Sequence, residues 1–97
     1  MIFLLGLVAF AARADVKLPA IFSDHMVLQR GAVAPVWGWA DAGETVTVKF
    51  AGQSKTAITG KSGKWMVRLD AINDATVKGA LTVIGNNTLT IKDVLVG

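Results

Sequence analysis

Cysteine is absent from this sequence, and the chain contains a single histidine and only two prolines. Without cysteine there can be no disulfide framework and no thiolate ligand for a metal ion. One histidine among scattered carboxylates gives neither the ligand spacing of a zinc site nor that of an EF-hand loop. We therefore predict no metal site and no cofactor.

The net charge of the chain is also small, formally +3. The lysines are spread singly along the chain, which is typical of a solvated surface and not of a nucleic-acid interface. The composition therefore predicts no nucleic-acid partner.

Long hydrophobic runs are limited to the start of the chain. Residues 1–10 are almost wholly apolar, and Ala12, Arg13 and Ala14 form a small-x-small site of the kind that signal peptidase cleaves. The run is shorter than the roughly 20 residues that a membrane span needs. We predict a signal peptide over residues 1–14, a mature domain over 15–97 without a membrane span, and export to the periplasm or the extracellular space. A buried N-terminal strand or helix is the alternative.

No segment long enough for a helix repeats its apolar residues at the helical spacing. Polar and apolar residues alternate instead, which is typical of strands. Glycine, asparagine and aspartate turns separate the short runs. We predict an all-β fold, an antiparallel β-sandwich of immunoglobulin-like or jelly-roll type. Segment 70–78 should be a loop with room for one helical turn, and 94–96 should point out of the domain. The predicted strand segments are 15–18, 34–40, 45–50, 54–59, 64–69, 80–84 and 88–91, and segments 26–29 and 94–96 are further apolar runs.

The single histidine and two of the three tryptophans lie close together in one dense stretch. It reads Leu-Pro-Ala-Ile-Phe-Ser-Asp-His-Met-Val-Leu-Gln-Arg over 18–30, followed by Pro-Val-Trp-Gly-Trp-Ala over 35–40. This sequence resembles the N-terminal part of the sialate O-acetylesterase family. The similarity continues in order through 43–48, 63–67 and 87–97. It covers nearly everything after residue 15, but only the front domain of that family.

The resemblance implies a larger parent enzyme that hydrolyses acetyl esters on sialic acids or related sugars. Members of the family continue into a Gly-Gln-Ser-Asn motif, which carries the nucleophilic serine of an SGNH-type hydrolase domain. No position of this chain matches that motif, so no catalytic residue is carried over. We expect a non-catalytic fragment whose partner is the C-terminal SGNH hydrolase domain of the same polypeptide, with an acetylated sugar as a further possible ligand.

Six residues of the dense stretch are candidates for contact with that domain or with a sugar. Ser23, Asp24 and His25 include the residue types of a hydrolase triad, but adjacent residues cannot aim three side chains at one another in that geometry. We expect Asp24 to bond the turn backbone, and His25 to be half-buried or to face the partner domain. The candidates are Asp24, His25, Gln29, Arg30, Trp37 and Trp39.

The three tryptophans leave three roles open. Trp37, Trp39 and Trp65 could belong to the core of a small domain, to an interface, or to a sugar-stacking platform. If they form a sugar-stacking platform, the chain is a free-standing carbohydrate-binding module. This hypothesis requires at least two exposed, coplanar rings. A structural exported domain that binds a protein through an open strand edge is a third hypothesis.

Overall fold

A computed structural model describes residues 14–97, which contain strands and no helix. The predicted signal peptide falls outside the described residues apart from Ala14. Within the described part, no helix is long and apolar enough to cross a membrane. The strands are β1 (Val27–Leu28), β2 (Ala34–Trp39), β3 (Thr45–Phe50), β4 (Gln53–Ile58), β5 (Lys64–Leu69), β6 (Lys78–Ile84) and β7 (Thr88–Val96).

The strands form two sheets, which is compatible with the predicted β-sandwich. The larger sheet has the order β1-β7-β6-β3-β4, and β2 pairs with β5 in the smaller one. All pairs of neighbouring strands are antiparallel except β1 and β7, which run parallel. The all-β prediction is confirmed, and the parallel edge pair is the exception to its antiparallel form.

Alternation along the strands builds the core between the two sheets. Successive side chains of a strand point to opposite faces, so Val46, Val48 and Phe50 enter the core from β3 while Thr45 and Lys49 face solvent. The smaller sheet does the same and keeps one face outside. The remaining buried apolar side chains are those of Val16, Val36, Ala40, Trp65, Val67, Leu69, Leu81, Val83, Ile91, Val94 and Val96.

The last strand differs most from its prediction. Segments 88–91 and 94–96 are one strand, interrupted by a bulge in which Lys92 and Asp93 are both exposed. The pairing with β6 shifts there, because Leu81 lies opposite Ile91 while Gly79 lies opposite Val94. The prediction that 94–96 points out of the domain is wrong: the bulge restores the inward direction of the apolar residues, and β6 and β1 flank the strand.

Two loops also depart from expectation. Segment 15–18 contributes only an isolated bridge between Lys17 and Trp39, although Val16 is buried as a strand residue would be. The loop before β6 has no helical turn. Instead Thr76 donates its hydroxyl and its backbone N–H to Asp74 Oδ1, at 2.6 and 2.9 Å. These hydrogen bonds, the hydroxyl's first, lower the pKa of the Asp74 carboxyl.

Candidate functional site

The segment 19–30, here called the bridging segment, joins the two sheets along one side of the domain. The ring of Phe22 meets the ring of Trp37 on β2 edge to face, with centroids 6.3 Å apart. Further on, the His25 N–H donates to the Lys92 carbonyl at 2.9 Å, and the Leu95 N–H donates to the Met26 carbonyl at 3.0 Å. The bridging segment therefore positions the candidate residues against both sheets.

Asp24 holds the bulge of β7. Its carboxylate Oδ1 accepts the backbone N–H of Lys92 at 2.7 Å. A bulge leaves a backbone group without its ladder partner, and a charged acceptor satisfies such a donor well. The predicted bond to its own turn is therefore wrong: Asp24 bonds a strand 68 residues further along the chain.

His25 pairs with a residue that the sequence analysis did not single out. Its Nδ1 lies 2.8 Å from Asp93 Oδ2, and the two side chains are 74% and 51% exposed. Both residues have left-handed backbones, with φ of 68° and 53°. This conformation is uncommon for residues other than glycine, although histidine and aspartate adopt it more often than most. The exposure corrects the half-buried alternative, whereas contact with a partner domain stays a prediction.

Removing the Asp24 carboxylate should destabilise this edge. We expect Asp24→Ala to lower the free energy of unfolding by about 1–2 kcal/mol, because the Lys92 N–H loses a charged acceptor. Asp24→Asn keeps an Oδ1 acceptor, so it should lower the free energy of unfolding by less than half of that amount. Urea unfolding of the purified chain measures both. Equal losses for the two variants would contradict the role of the hydrogen bond.

Gln29 and Arg30 lie where β1 and β7 end together. The Arg30 N–H donates to the Gly97 carbonyl at 2.8 Å, and the Gly97 N–H donates to the Leu28 carbonyl at 2.9 Å. Gln29 lines a shallow surface groove between β1 and the start of β2. The groove is lined by Val27, Leu28, Gln29, Ala32, Val33, Ala34 and Pro35.

Beside this groove lies an exposed apolar surface, here called the β1 patch and consisting of Val27, Val33 and Leu95. Their side chains are 59%, 55% and 36% exposed. Val27 is the cross-strand partner of Leu95, and Val33 lies with Val27 along the groove. Scattered exposed aliphatic residues are ordinary, but a contiguous group beside hydrogen-bonded backbone is typical of a contact surface.

The three tryptophans take different positions. Trp65 is only 2% exposed and faces the core, where its Nε1 donates to the Trp39 carbonyl at 3.2 Å. Trp37 and Trp39 share the outward face of β2, with Trp37 half-buried and Trp39 43% exposed. Their ring centroids are 5.4 Å apart and the rings meet at 76°. The coplanar pair that a flat stacking platform requires is therefore missing.

Cationic side chains accompany this aromatic pair. Lys64 Nζ lies 4.4 Å from the centroid of the Trp37 ring, within range of a cation–π interaction. Lys64 and Lys17 lie opposite Trp39 on its two sides, and Arg68 lies opposite Pro35. Alternation within 64–69 already places Lys64 and Arg68 on the solvent face. The position of Lys17 beside Trp39 follows only from the isolated bridge between these two residues, which the sequence does not show.

The six predicted residues therefore fall on two surfaces. Asp24, His25, Gln29 and Arg30 lie along the β1–β7 edge, whereas Trp37 and Trp39 lie on the outer face of the β2–β5 sheet. Within residues 14–97, no group of three His, Cys, Asp or Glu side chains could hold a metal ion. His25 and Asp93 form a pair, but no serine or threonine hydroxyl of the described residues hydrogen-bonds to the imidazole.

Comparison with known proteins gives a related structure. No protein-family model and no curated protein matches the chain. The crystal structure of a carbohydrate acetylesterase from Xanthomonas citri is 37% identical in sequence and superposes with a TM-score of 0.77. The match covers 86% of this chain and 19% of that one. The chain is therefore similar to one part of that carbohydrate acetylesterase, and it spans about a fifth of the length of the acetylesterase.

Proposed function

We propose that this chain is the N-terminal, non-catalytic β-domain of an exported sialate O-acetylesterase-like enzyme. The whole enzyme hydrolyses acetyl esters on sialic acids or related sugars, and this domain supports its SGNH hydrolase domain. The observation that carries the proposal is the 37% identity to a carbohydrate acetylesterase over 86% of the chain. The resemblance of residues 18–40 to the opening of the sialate O-acetylesterase family supports the finer assignment.

The β1 patch is the surface that we assign to the hydrolase domain. Its apolar side chains lie at the edge where β7 ends, close to the backbone of Gly97. A domain that follows β7 would begin beside these side chains, so its contact needs no long linker. Gln29, Arg30 and the His25–Asp93 pair add polar groups around the patch, and a polar rim around an apolar centre is the usual composition of an interface.

A free-standing carbohydrate-binding module with a flat platform is less well supported. Trp65 lies in the core, and the two outward rings meet at 76°. A pyranose packed on one ring would therefore not extend onto the other.

The reading frame downstream of the Gly97 codon tests the proposal. We expect the genomic sequence to continue in frame into a Gly-Gln-Ser-Asn serine motif and a hydrolase domain. A stop codon directly after Gly97, or a continuation into an unrelated domain, would contradict the proposal.

Substitution in the β1 patch tests the docking surface on the longer enzyme. Val27→Glu should lower its apparent melting temperature by about 4 °C and reduce esterase activity, because a buried carboxylate replaces an apolar contact. In the 97-residue chain, where Val27 is 59% exposed, the same substitution should shift the melting temperature by about 1 °C or less.

Ile58→Glu is the matched control. Ile58 is 72% exposed and lies on β4, at the opposite edge of the same sheet. It should leave both proteins unchanged. If Ile58→Glu destabilises the longer enzyme while Val27→Glu does not, the hydrolase domain docks on the other edge.

A further inference from the structure

The outer face of the β2–β5 sheet combines aromatic and cationic side chains in cross-strand rows. Trp39 lies opposite Lys64 on β5 and opposite Lys17 across the isolated bridge. The next outward pair along β2 is Trp37 with Met66, and Pro35 with Arg68 follows. From Trp39 to Pro35 this face is roughly 13 Å long, at the usual rise of a strand. We call it the basic aromatic face.

The charges on this face have one sign. Neither β2 nor β5 contains an aspartate or a glutamate. Lys17, Lys64 and Arg68 form no salt bridge with any carboxylate of residues 14–97, where the ion pairs found are His25–Asp93 and Lys55–Asp70. Three cations on one face without a carboxylate beside them create a positive potential there, which attracts a ligand that carries a negative charge.

One ring on this face is available and held in place. Lys64 covers the ring of Trp37, whereas Trp39 keeps 43% of its surface exposed. The edge-to-face contact with Trp37 supports the Trp39 ring. Its backbone is fixed by two hydrogen bonds of 2.9 Å with Lys17 and by the Nε1 of Trp65. A ring held in this way loses little conformational freedom when a ligand packs on it.

We propose that the basic aromatic face binds a carboxylate-bearing pyranose of an acidic polysaccharide. The sugar ring packs on the exposed ring of Trp39, and the ammonium groups of Lys17 and Lys64 bind the carboxylate. Arg68, two rows further on, binds the carboxylate of a later sugar in the same chain. The inference deepens the proposed function and rests on it for the class of partner, because the related structure is a carbohydrate esterase.

Binding of defined oligosaccharides to the purified chain tests the inference. The probes are an oligomer of galacturonic acid and a neutral cello-oligosaccharide of the same length, titrated by isothermal calorimetry at two salt concentrations. We expect the acidic oligomer to bind at least tenfold more tightly than the neutral one, and its affinity to fall as salt is raised. No detectable binding at millimolar oligomer, or equal affinity for the two probes, would overturn the inference.

Variants separate stacking from charge. Trp39→Ala should weaken binding of the acidic oligomer about tenfold, whereas Trp39→Phe should retain much of it. The double variant Lys17→Gln/Lys64→Gln should lose most of the preference for the acidic oligomer and most of the salt dependence, because only the Arg68 contact remains. Lys49→Gln removes an exposed lysine of β3 and should bind as the parent does. Thermal unfolding of each variant confirms that it is folded.

Two other results would overturn the assignment. If the acidic oligomer binds Trp39→Ala and the parent chain with the same affinity, its binding site lies elsewhere on the domain. A chain that dimerises in sedimentation, and that becomes monomeric with Trp39→Ala, uses this face for a second copy of itself. Neither result affects the proposed function, which the downstream reading frame decides separately, and a stop codon after Gly97 would leave the binding result standing.

Discussion

Trp65→Ala should cost the chain about 3–5 kcal/mol of its free energy of unfolding. Trp65 is the largest fully buried side chain, and its indole Nε1 hydrogen-bonds to the Trp39 carbonyl. Truncation leaves a cavity between the sheets and removes one of the two hydrogen bonds that the Trp39 carbonyl accepts. A domain of this size has a total stability of about 5–10 kcal/mol, so roughly half would be lost. Urea unfolding followed by circular dichroism measures the loss.

Met66→Ala is the matched control for that loss. Met66 is the next residue on the same strand, but it faces outward and is 39% exposed. We expect it to cost about 1 kcal/mol or less. If the two substitutions cost the same, the inward face of β5 would not be the centre of the core.

Gly38→Ala should be nearly as damaging although it adds a single methyl group. A Cβ at Gly38 would lie 2.0 Å from the Lys17 carbonyl oxygen and 3.1 Å from Cζ2 of Trp65. The oxygen belongs to backbone that is hydrogen-bonded to Trp39, so it cannot move without breaking the bridge. We expect a loss of about 3 kcal/mol, at the upper end for an overpacked site.

Gly60→Ala provides the comparison for Gly38→Ala. A Cβ at Gly60 would lie 3.6 Å from the Lys64 carbonyl oxygen, an ordinary contact. The substitution should be neutral, or stabilise by up to about 1 kcal/mol by restricting the unfolded chain. A Gly38→Ala variant as stable as Gly60→Ala would mean that the bridge between 15–18 and β2 is not a fixed feature of the fold.

Strands with unbroken alternation were predictable from the sequence. β3 and β5 have the bounds that their patterns predicted, and β2 ends one residue earlier than expected. In β3 and β5 every residue that faces the core is apolar and most of those that face solvent are polar, so the local pattern alone predicts which residues point inward. That Trp37 and Trp39 share one face follows from their spacing of two, whereas the direction of that face does not.

Features that depend on distant partners were not predictable. β7 was read as two segments because the bulge places Lys92 and Asp93 side by side on the exposed surface. The role of Asp24 required knowing that the bridging segment runs beside that bulge. Likewise, β1 is only two residues long and pairs parallel with β7, and no local pattern indicates such a pair.

The six candidate residues do not form a single site in the fold. The resemblance selected Asp24, His25, Gln29, Arg30, Trp37 and Trp39 as one group. In the fold, Phe22 faces β2 while Asp24 and His25 face β7, so the bridging segment divides them between two surfaces. The cations around Trp39 come from two further segments, which explains why their convergence was not visible in the sequence.

The pairing of β7 with both β1 and β6 has a consequence for how the chain folds. His25 and Asp93 are 68 residues apart, and the β1–β7 ladder spans the same distance. Because contacts of such long separation must close a large loop before they stabilise anything, they slow folding. The larger sheet lacks its second strand until β7 has emerged from the ribosome. β1 therefore remains without its partner strand until nearly the whole chain has been synthesised.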